Sequence, residues 1–262
     1  MTVNEMKKIK IRDNLYQYFF IEEDGESPNS IFVCINEENK KALLIDTAYA
    51  EFSQKVKKDL AENDIEPEIL ILSHYHPDHT AGCTVFSGCP IYAGPYYENN
   101  YENCKVWRPD LTFVRPTHFI KDGDSLTFGS FHLKFIYAPG HSKCMLMTLI
   151  NDDVLHAGDL LMFDAEDKPT LPYVSTGGSF KEHIDSLECL KRMDYNSMVV
   201  PHGHILNDKE KIKENIDDRV YYLKRVLSSN GTLPLTDCLR NDLPGYANPE
   251  FHDTNLIQLM AE

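Results

Sequence analysis

The chain has 262 residues, with 26 Lys and Arg against 41 Asp and Glu, a formal net charge of −15. Such an acidic balance repels polyanions and anionic headgroups, so neither nucleic acid nor a membrane surface is an expected partner. At 42% hydrophobic and 26% charged the composition is that of a globular protein able to bury a core, and the length allows one large domain or two small ones.

In chain order, short runs rich in β-branched and aromatic residues predict strands at 15–21, 30–35 and 42–45. The period then changes: Phe52, Val56 and Leu60 recur every fourth residue in a charged stretch, an amphipathic helix with one face on a core. Residues 69–72 return to strand and end in Ser-His-Tyr-His-Pro-Asp-His. The tyrosines at 92, 96, 97 and 101 suit either a pocket rim or an amphipathic helix. A second strand block is predicted at 125–128, 131–137, 145–150 and 154–156, followed by a helix at Phe180, Ile184 and Leu187, a strand at 198–200, and a longer helix through Ile212, Ile216, Val220, Leu223 and Leu227. After about residue 229 the chain reads as an irregular, proline-containing tail ending in an apolar turn at 256–260. Two strand blocks, each followed by helices, suggest two packed sheets with helices outside, in a single domain over 1–228 with an extension over 229–262.

The seven cysteines stand singly at 34, 83, 89, 104, 144, 189 and 238, and no disulfide framework is expected. The first residues are charged without an apolar core, and no run of about 18 uncharged apolar residues occurs, so neither a signal peptide nor a membrane span is expected. Cytoplasmic location is the default expectation.

Chemistry concentrates at His74-Tyr-His76-Pro-Asp78-His79, four potential metal ligands within six residues at the end of a predicted buried strand. Imidazole and carboxylate suit a borderline divalent cation such as Zn²⁺, and a sharp turn at Pro77 lets side chains converge from a rigid scaffold. Further strands end the same way: one runs into Pro-Gly-His141, one through Gly into Asp159, and one into Pro201-His202-Gly203-His204.

Taken together, Leu44-Ile-Asp46, His74-x-His76-x-Asp78-His79, Pro-Gly-His141, Gly-Asp159 and Gly-His204 resemble the five motifs of the metallo-β-lactamase superfamily over roughly residues 15–225. The resemblance implies an α/β fold, the four-layer αββα sandwich, carrying two metals at one edge of the sheets, and a hydrolase. Carried over residue by residue, it assigns His74, His76 and His141 to one metal, Asp78, His79 and a late histidine to the other, and Asp159 as the bridge. Aligning Gly-His selects His204 as that late ligand and aligning His-Gly selects His202. His204 is taken because His202 directly follows proline. Asp46 is expected to orient ligands, with an ordinary helix cap as the alternative.

The expected cofactor is zinc, two ions per chain, with iron or manganese as substitutes. Asp78 is the expected catalytic residue, orienting a metal-activated water and relaying a proton. The expected partner is a small-molecule substrate, an acyl compound with a thioester, lactone or amide-like bond; a phosphodiester or phosphonate is the alternative. Two other classes stand beside these. One is a di-iron oxidoreductase, although that branch of the superfamily usually has Glu where His76 stands and carries a flavin domain. The other is a non-catalytic metal-binding protein. Tyr173 and Ser175 are candidate oxyanion donors, and His252 is placed in a tail that folds over the pocket. His156 reads as a packed residue, and His118, His132 and His183 as chemically idle.

Overall fold

The computed structural model describes residues 5–22, 24–240 and 245–262. The first sheet has seven strands in sequential order: β1 (Lys7–Arg12), β2 (Leu15–Ile21), β3 (Pro28–Asn36), β4 (Lys41–Ile45), β5 (Glu66–Leu72), β6 (Ile91–Ala93) and β7 (His118–Phe119). It is antiparallel from β1 to β4 and parallel from β4 to β7. Helix α1 (Ala50–Glu62) supplies the crossover that a parallel β4–β5 pair demands. The second sheet, in the order β12-β11-β10-β9-β8, comprises β8 (Ser125–Phe128), β9 (Phe131–Tyr137), β10 (Leu146–Ile150), β11 (Val154–His156) and β12 (Ser197–Val199). Helix α4 (Phe180–Arg192) crosses between its parallel pair, β11 and β12. The single-turn helix α2 (Pro77–Thr80) and helix α3 (Tyr97–Trp107) lie between β5 and β7, and α5 (Lys209–Ser228), α6 (Leu235–Cys238) and α7 (Phe251–Ala261) close the chain.

The four layers follow from the two-residue strand period. In β4, Leu43 and Ile45 face the second sheet, while Ala42 and Leu44 join Phe52, Val56 and Leu60 of α1. In β10, Leu146 and Ile150 face the first sheet, while Met147 packs with Leu187 and Leu190 of α4 and Leu223 and Val226 of α5. The central strands are thus buried on both faces, which is why they read as continuous apolar runs. Burying each such side chain is worth about 1.5–3 kcal/mol.

Strand β1 escaped the pattern because its sequence, Lys-Lys-Ile-Lys-Ile-Arg, buries only Ile11. It is an edge strand whose lysines oppose further pairing. The tyrosine run resolves into β6 and α3, with Tyr97 and Tyr101 ring-packed on Tyr75 at 5.8 and 5.6 Å. The tail is not irregular: α7 buries His252 and Asn255, and Leu256 and Leu259 pack on the second-sheet core. Its helical spacing was masked by the exposed apolar residues Ile257 and Met260. No helix among the described residues is long and apolar enough to cross a membrane.

Parallel pairing has a consequence for chemistry. The carboxyl ends of β4 and β5 share one edge, as do those of β11 and β12, and the chain leaving these ends carries Asp46, His74, Asp159 and His202.

Candidate metal centre

The turns after β5, β9, β11 and β12 deliver the ligand-type side chains. The chain leaving β5 presents His74, then His76 as the residue preceding α2, where Pro77 stands at the first helical position and starts the turn that carries Asp78 and His79. His141 follows Gly140, whose φ of +137° and close approach to His183 exclude a side chain: a Cβ there would lie 2.1 Å from the His183 Cα. Asp159 sits on a 3-10 turn after β11, and His202 follows β12.

The ring nitrogens and carboxylates converge. His76 Nδ1 lies 2.9 Å from His74 Nε2 and 3.1 Å from His141 Nε2. Asp159 Oδ2 is 3.6 Å from His74 Nε2, 3.5 Å from His141 Nε2, 3.3 Å from His79 Nε2 and 3.4 Å from His202 Nε2. Asp78 Oδ2 is 3.4 Å from His79 Nε2 and 3.2 Å from His202 Nε2. These atoms form three overlapping sets that could hold metal ions: His74, His76 and His141; His74, His79 and Asp159; Asp78, His79 and His202.

Proton placement tests whether a cation fits. A carbonyl only accepts, so His141 Nδ1 donates to Tyr173 O at 2.9 Å and His202 Nδ1 donates to Pro28 O at 2.7 Å. His79 Nδ1 likewise donates to the Asp46 carboxylate at 2.9 Å. In the neutral rings each Nε2 therefore turns a lone pair inward, toward other lone pairs and toward carboxylates. His79 Nε2 and His202 Nε2 stand 3.3 Å apart, and Asp159 Oδ1 is buried with no hydrogen-bond partner among the described residues. Acceptors crowded together without donors repel unless a positive charge lies between them, and outward N–H groups held by carbonyl or carboxylate are the usual support of metal-binding histidines.

Electrostatics point the same way. Burial disfavours charge on His79 and His202, yet Asp159, Asp78 and, for His79, Asp46 override it and hold both rings well above the usual histidine range. Burial would raise Asp78 and Asp159, yet His79 and His202 hold both carboxyls well below their usual range. Without a metal, protons on His79 and His202 stand where a cation is called for. On the other side burial lowers His74, His76 and His141, with His76 pushed down to about 3.

Asp46 is no helix cap, since α1 begins after Tyr49. Fully buried behind the cluster, it accepts from Ser73 N–H and Ser73 hydroxyl, both at 2.7 Å, as well as from His79. The Ser73 hydroxyl, spent on Asp46, takes the Nδ1–H of His74 at 3.1 Å, which leaves His74 Nε2 as the inward lone pair.

His204 requires a correction. It pairs with Asp167 at 2.6 Å and stacks on Phe19 at 4.5 Å, outside the cluster, while His202 occupies the position assigned to it. Proline restricts its own φ and the residue before it, not the residue after, so Pro201 leaves His202 free to point inward. Gly203, at φ +143°, then turns the chain away. His252 is corrected as well: it bonds Tyr222 at 2.9 Å, and its neighbour Phe251 lines the pocket in its place. Tyr173 lines the pocket, and its carbonyl rather than its hydroxyl holds His141. Ser175 donates its hydroxyl and N–H to the His141 carbonyl at 2.6 and 3.0 Å. His156 packs edge-on to Phe32 at 4.9 Å behind the site.

Sequence reading missed Glu22, Asn29 and Asn255. Asn29 ties Glu22 Oε1 at 3.0 Å to the Asp78 carbonyl at 3.1 Å, and burial followed by the charge of Asp78 raises the Glu22 carboxyl to about 7. No local pattern marks these residues, because each acts across the fold.

His183 is buried against Gly140 with neither ring nitrogen partnered among the described residues, and burial, then His141 and Arg219, push it down to about 3. It stays neutral in the fold, whereas the unfolded chain protonates it below about 6.5. Its cost to stability therefore begins below about pH 6.5, grows by about 1.4 kcal/mol per pH unit and saturates below about pH 3. His183→Leu is expected to flatten this acid limb by about one proton in urea titrations of metal-free protein at a series of pH values; an unchanged slope would refute it.

The cluster opens into a cavity of about 700 Å³. His76, Asp78, His141, Asp159 and His202 form its floor, and Tyr49, Phe163, Tyr173, Tyr246 and Phe251 its aromatic walls.

Comparison with known proteins agrees with this architecture. The family model for the metallo-beta-lactamase superfamily matches residues 24–204. A hydroxyacylglutathione hydrolase of Francisella tularensis subsp. novicida is 27% identical over 133 residues, 47% of each chain. The Beta-lactamase-like protein 2 homolog of Caenorhabditis elegans is 22% identical over 192 residues, 69% of this chain and 58% of that one. The chain thus spans about half the length of the curated relatives it matches. Among solved structures, a metallo-beta-lactamase family protein of Thermus thermophilus has a TM-score of 0.66 at 15% identity, covering 84% of this chain and 83% of that one. A metallo-beta-lactamase from Pontibacter korlensis has a TM-score of 0.64 at 14% identity, covering 82% and 99%. At these identities the structures share the fold.

Proposed function

Because this chain belongs to the metallo-β-lactamase superfamily, we propose that it is a dinuclear metal-dependent hydrolase, with zinc in both sites, acting on a small acyl compound with a thioester, lactone or amide-like bond. The observation that carries the proposal is the convergence of inward lone pairs and carboxylates on the cavity floor, with every outward N–H of His79, His141 and His202 already held. His74, His76 and His141 would hold one ion, Asp78, His79 and His202 the other, and Asp159 both. When bound, the two ions supply Lewis acidity at the scissile carbonyl and lower the pKa of water toward neutrality.

The protein's own residues complete the site. The side chain of Asp78 is 25% exposed and faces the cavity, so it can orient a water and accept its proton. Tyr173 and Phe251, 5.0 Å apart between ring centroids, offer an apolar wall against which an acyl chain sheds water.

Charge narrows the substrate. Glu22, Asp24, Glu26, Asp164 and Glu166 line the cavity against Lys168, the one lysine among its described lining residues. With Asp78 and Asp159 of the floor the lining holds seven carboxylates, so even two divalent ions leave it formally negative. Neutral acyl substrates are expected to be turned over about tenfold faster than anionic isosteres at low ionic strength, the gap closing as salt screens it. A reversed preference, or one indifferent to salt, would refute the charge argument. The same lining disfavours the phosphodiester alternative.

The deciding experiment is a panel of thioesters, lactones, β-lactams and bis-p-nitrophenyl phosphate on zinc-reconstituted protein, repeated after complete chelation. Hydrolysis of an acyl member that disappears on chelation and returns with zinc supports the proposal. Silence across the panel with metal bound, or activity that survives stripping, refutes it.

A further inference from the structure

Residues 246–262 lie outside the family match of 24–204, yet Tyr246 and Phe251 line the cavity, and α7 reaches the loop behind His141. We propose that Asn255 of α7 is a positioning residue for His141, so that the carboxy-terminal segment is part of the metal site. The inference rests on the reading of His141 as a metal ligand.

The geometry runs through a single peptide plane. Tyr173 O accepts the Nδ1–H of His141 at 2.9 Å. The N–H of that same peptide unit, Val174 N–H, donates to Asn255 Oδ1 at 2.9 Å. A peptide is planar and trans, so its C=O and N–H point in opposite directions. Holding the N–H on one side therefore aims the carbonyl on the other. Asn255 Nδ2 donates to Pro172 O at 2.7 Å, which clamps Tyr173 from its other flank.

The clamp is itself oriented. Asn255 is fully buried, and its second N–H reaches Tyr222 Oη at 3.0 Å, while that oxygen also pairs with His252 Nδ1 at 2.9 Å. Both donors and the acceptor of the carboxamide are thus used, and a flipped amide would set an oxygen against the Pro172 carbonyl. Further along α7, Gln258 Nε2 donates to Gly178 O at 3.0 Å, and Glu262, the residue after the helix, accepts from Phe180 N–H at 2.8 Å. One helix therefore anchors the loop from Pro172 to the start of α4.

Partners that orient a metal-binding histidine typically contribute 10–100-fold in metal affinity. Asn255 acts one bond further out, and the low end of that range applies. On the full chain, zinc affinity of the three-histidine site is measured by chelator competition, and its coordination by the visible spectrum of the cobalt-substituted protein. Asn255→Leu is expected to weaken zinc by about tenfold and to shift the cobalt bands. Tyr222→Phe, which keeps the ring and loosens the carboxamide, shifts both in the same direction by less. His141→Ala loses the site. Wild-type zinc affinity and cobalt spectra in both Asn255→Leu and Tyr222→Phe, with the site lost in His141→Ala, overturn the proposal while His141 stays a ligand; lowered thermal stability alone does not rescue it. Wild-type metal binding in His141→Ala removes the premise and overturns the proposal with it. If Asn255→Leu does not fold, Tyr222→Phe decides by the same criterion.

Discussion

Asp159→Ala is expected to strip metal from both sites and to reduce hydrolysis by roughly three orders of magnitude or more, since the ions supply several kcal/mol of transition-state stabilisation. Its Oδ2 lies 3.3–3.6 Å from ring nitrogens of His74, His79, His141 and His202, and so neighbours both proposed ligand sets. With Asp159 gone, His79 and His202 keep Asp78 as a neighbour, while the three-histidine set loses its nearby anion. Asp159→Asn separates shape from charge, because the amide keeps one acceptor oxygen without the negative charge and is expected to retain less than full metal occupancy. Metal content per chain and kcat/KM on the best substrate of the panel are the measurements. Two ions per chain with wild-type rates in Asp159→Ala would eliminate the bridging role.

The second large effect separates two histidines two residues apart. His202→Ala is expected to lose one ion and to lower kcat/KM by about a hundredfold or more. Its Nε2 stands 3.2 Å from Asp78 and 3.4 Å from Asp159, and truncation leaves the buried Asp159 carboxylate and the partly exposed Asp78 carboxylate with one histidine fewer between them. His204→Ala is expected to keep both ions. Its pairing with Asp167 is half-exposed, and exposed pairs are worth about 0–1 kcal/mol, so a small drop in thermal stability is the whole expected effect. Full metal occupancy in His202→Ala together with loss in His204→Ala would reverse the assignment.

The sandwich was legible because burial writes its period into the chain. Leu43 and Ile45 against Ala42 and Leu44 record a strand buried on both faces, and Phe52, Val56 and Leu60 record a helix lying on it. What escaped was whatever carries little apolar signal. β1 hides in an edge of lysines, and α7 shows apolar residues on both its buried and its exposed sides.

The site divides along the same line. His74, His76, Asp78 and His79 are close in sequence, and a strand followed by a proline-started turn can only bring them near one another, so residue type and spacing alone determined that a cluster of candidate metal ligands belongs there. The strand-end positions of His141 and Asp159 were legible for the same reason. Which late histidine faces inward was not, because it depends on the backbone turn at Gly203, a torsion the letters Pro-His-Gly-His do not encode. Nor could the chain alone reveal that Pro28 O and Tyr173 O hold the outer nitrogens of His202 and His141, or that Asn255 aims the second of these. Those contacts span 174, 32 and 81 residues. Hydrogen bonds at such separations exist only after the sheets have packed and α7 has docked, and their directions are set by peptide planes that only the tertiary structure orients.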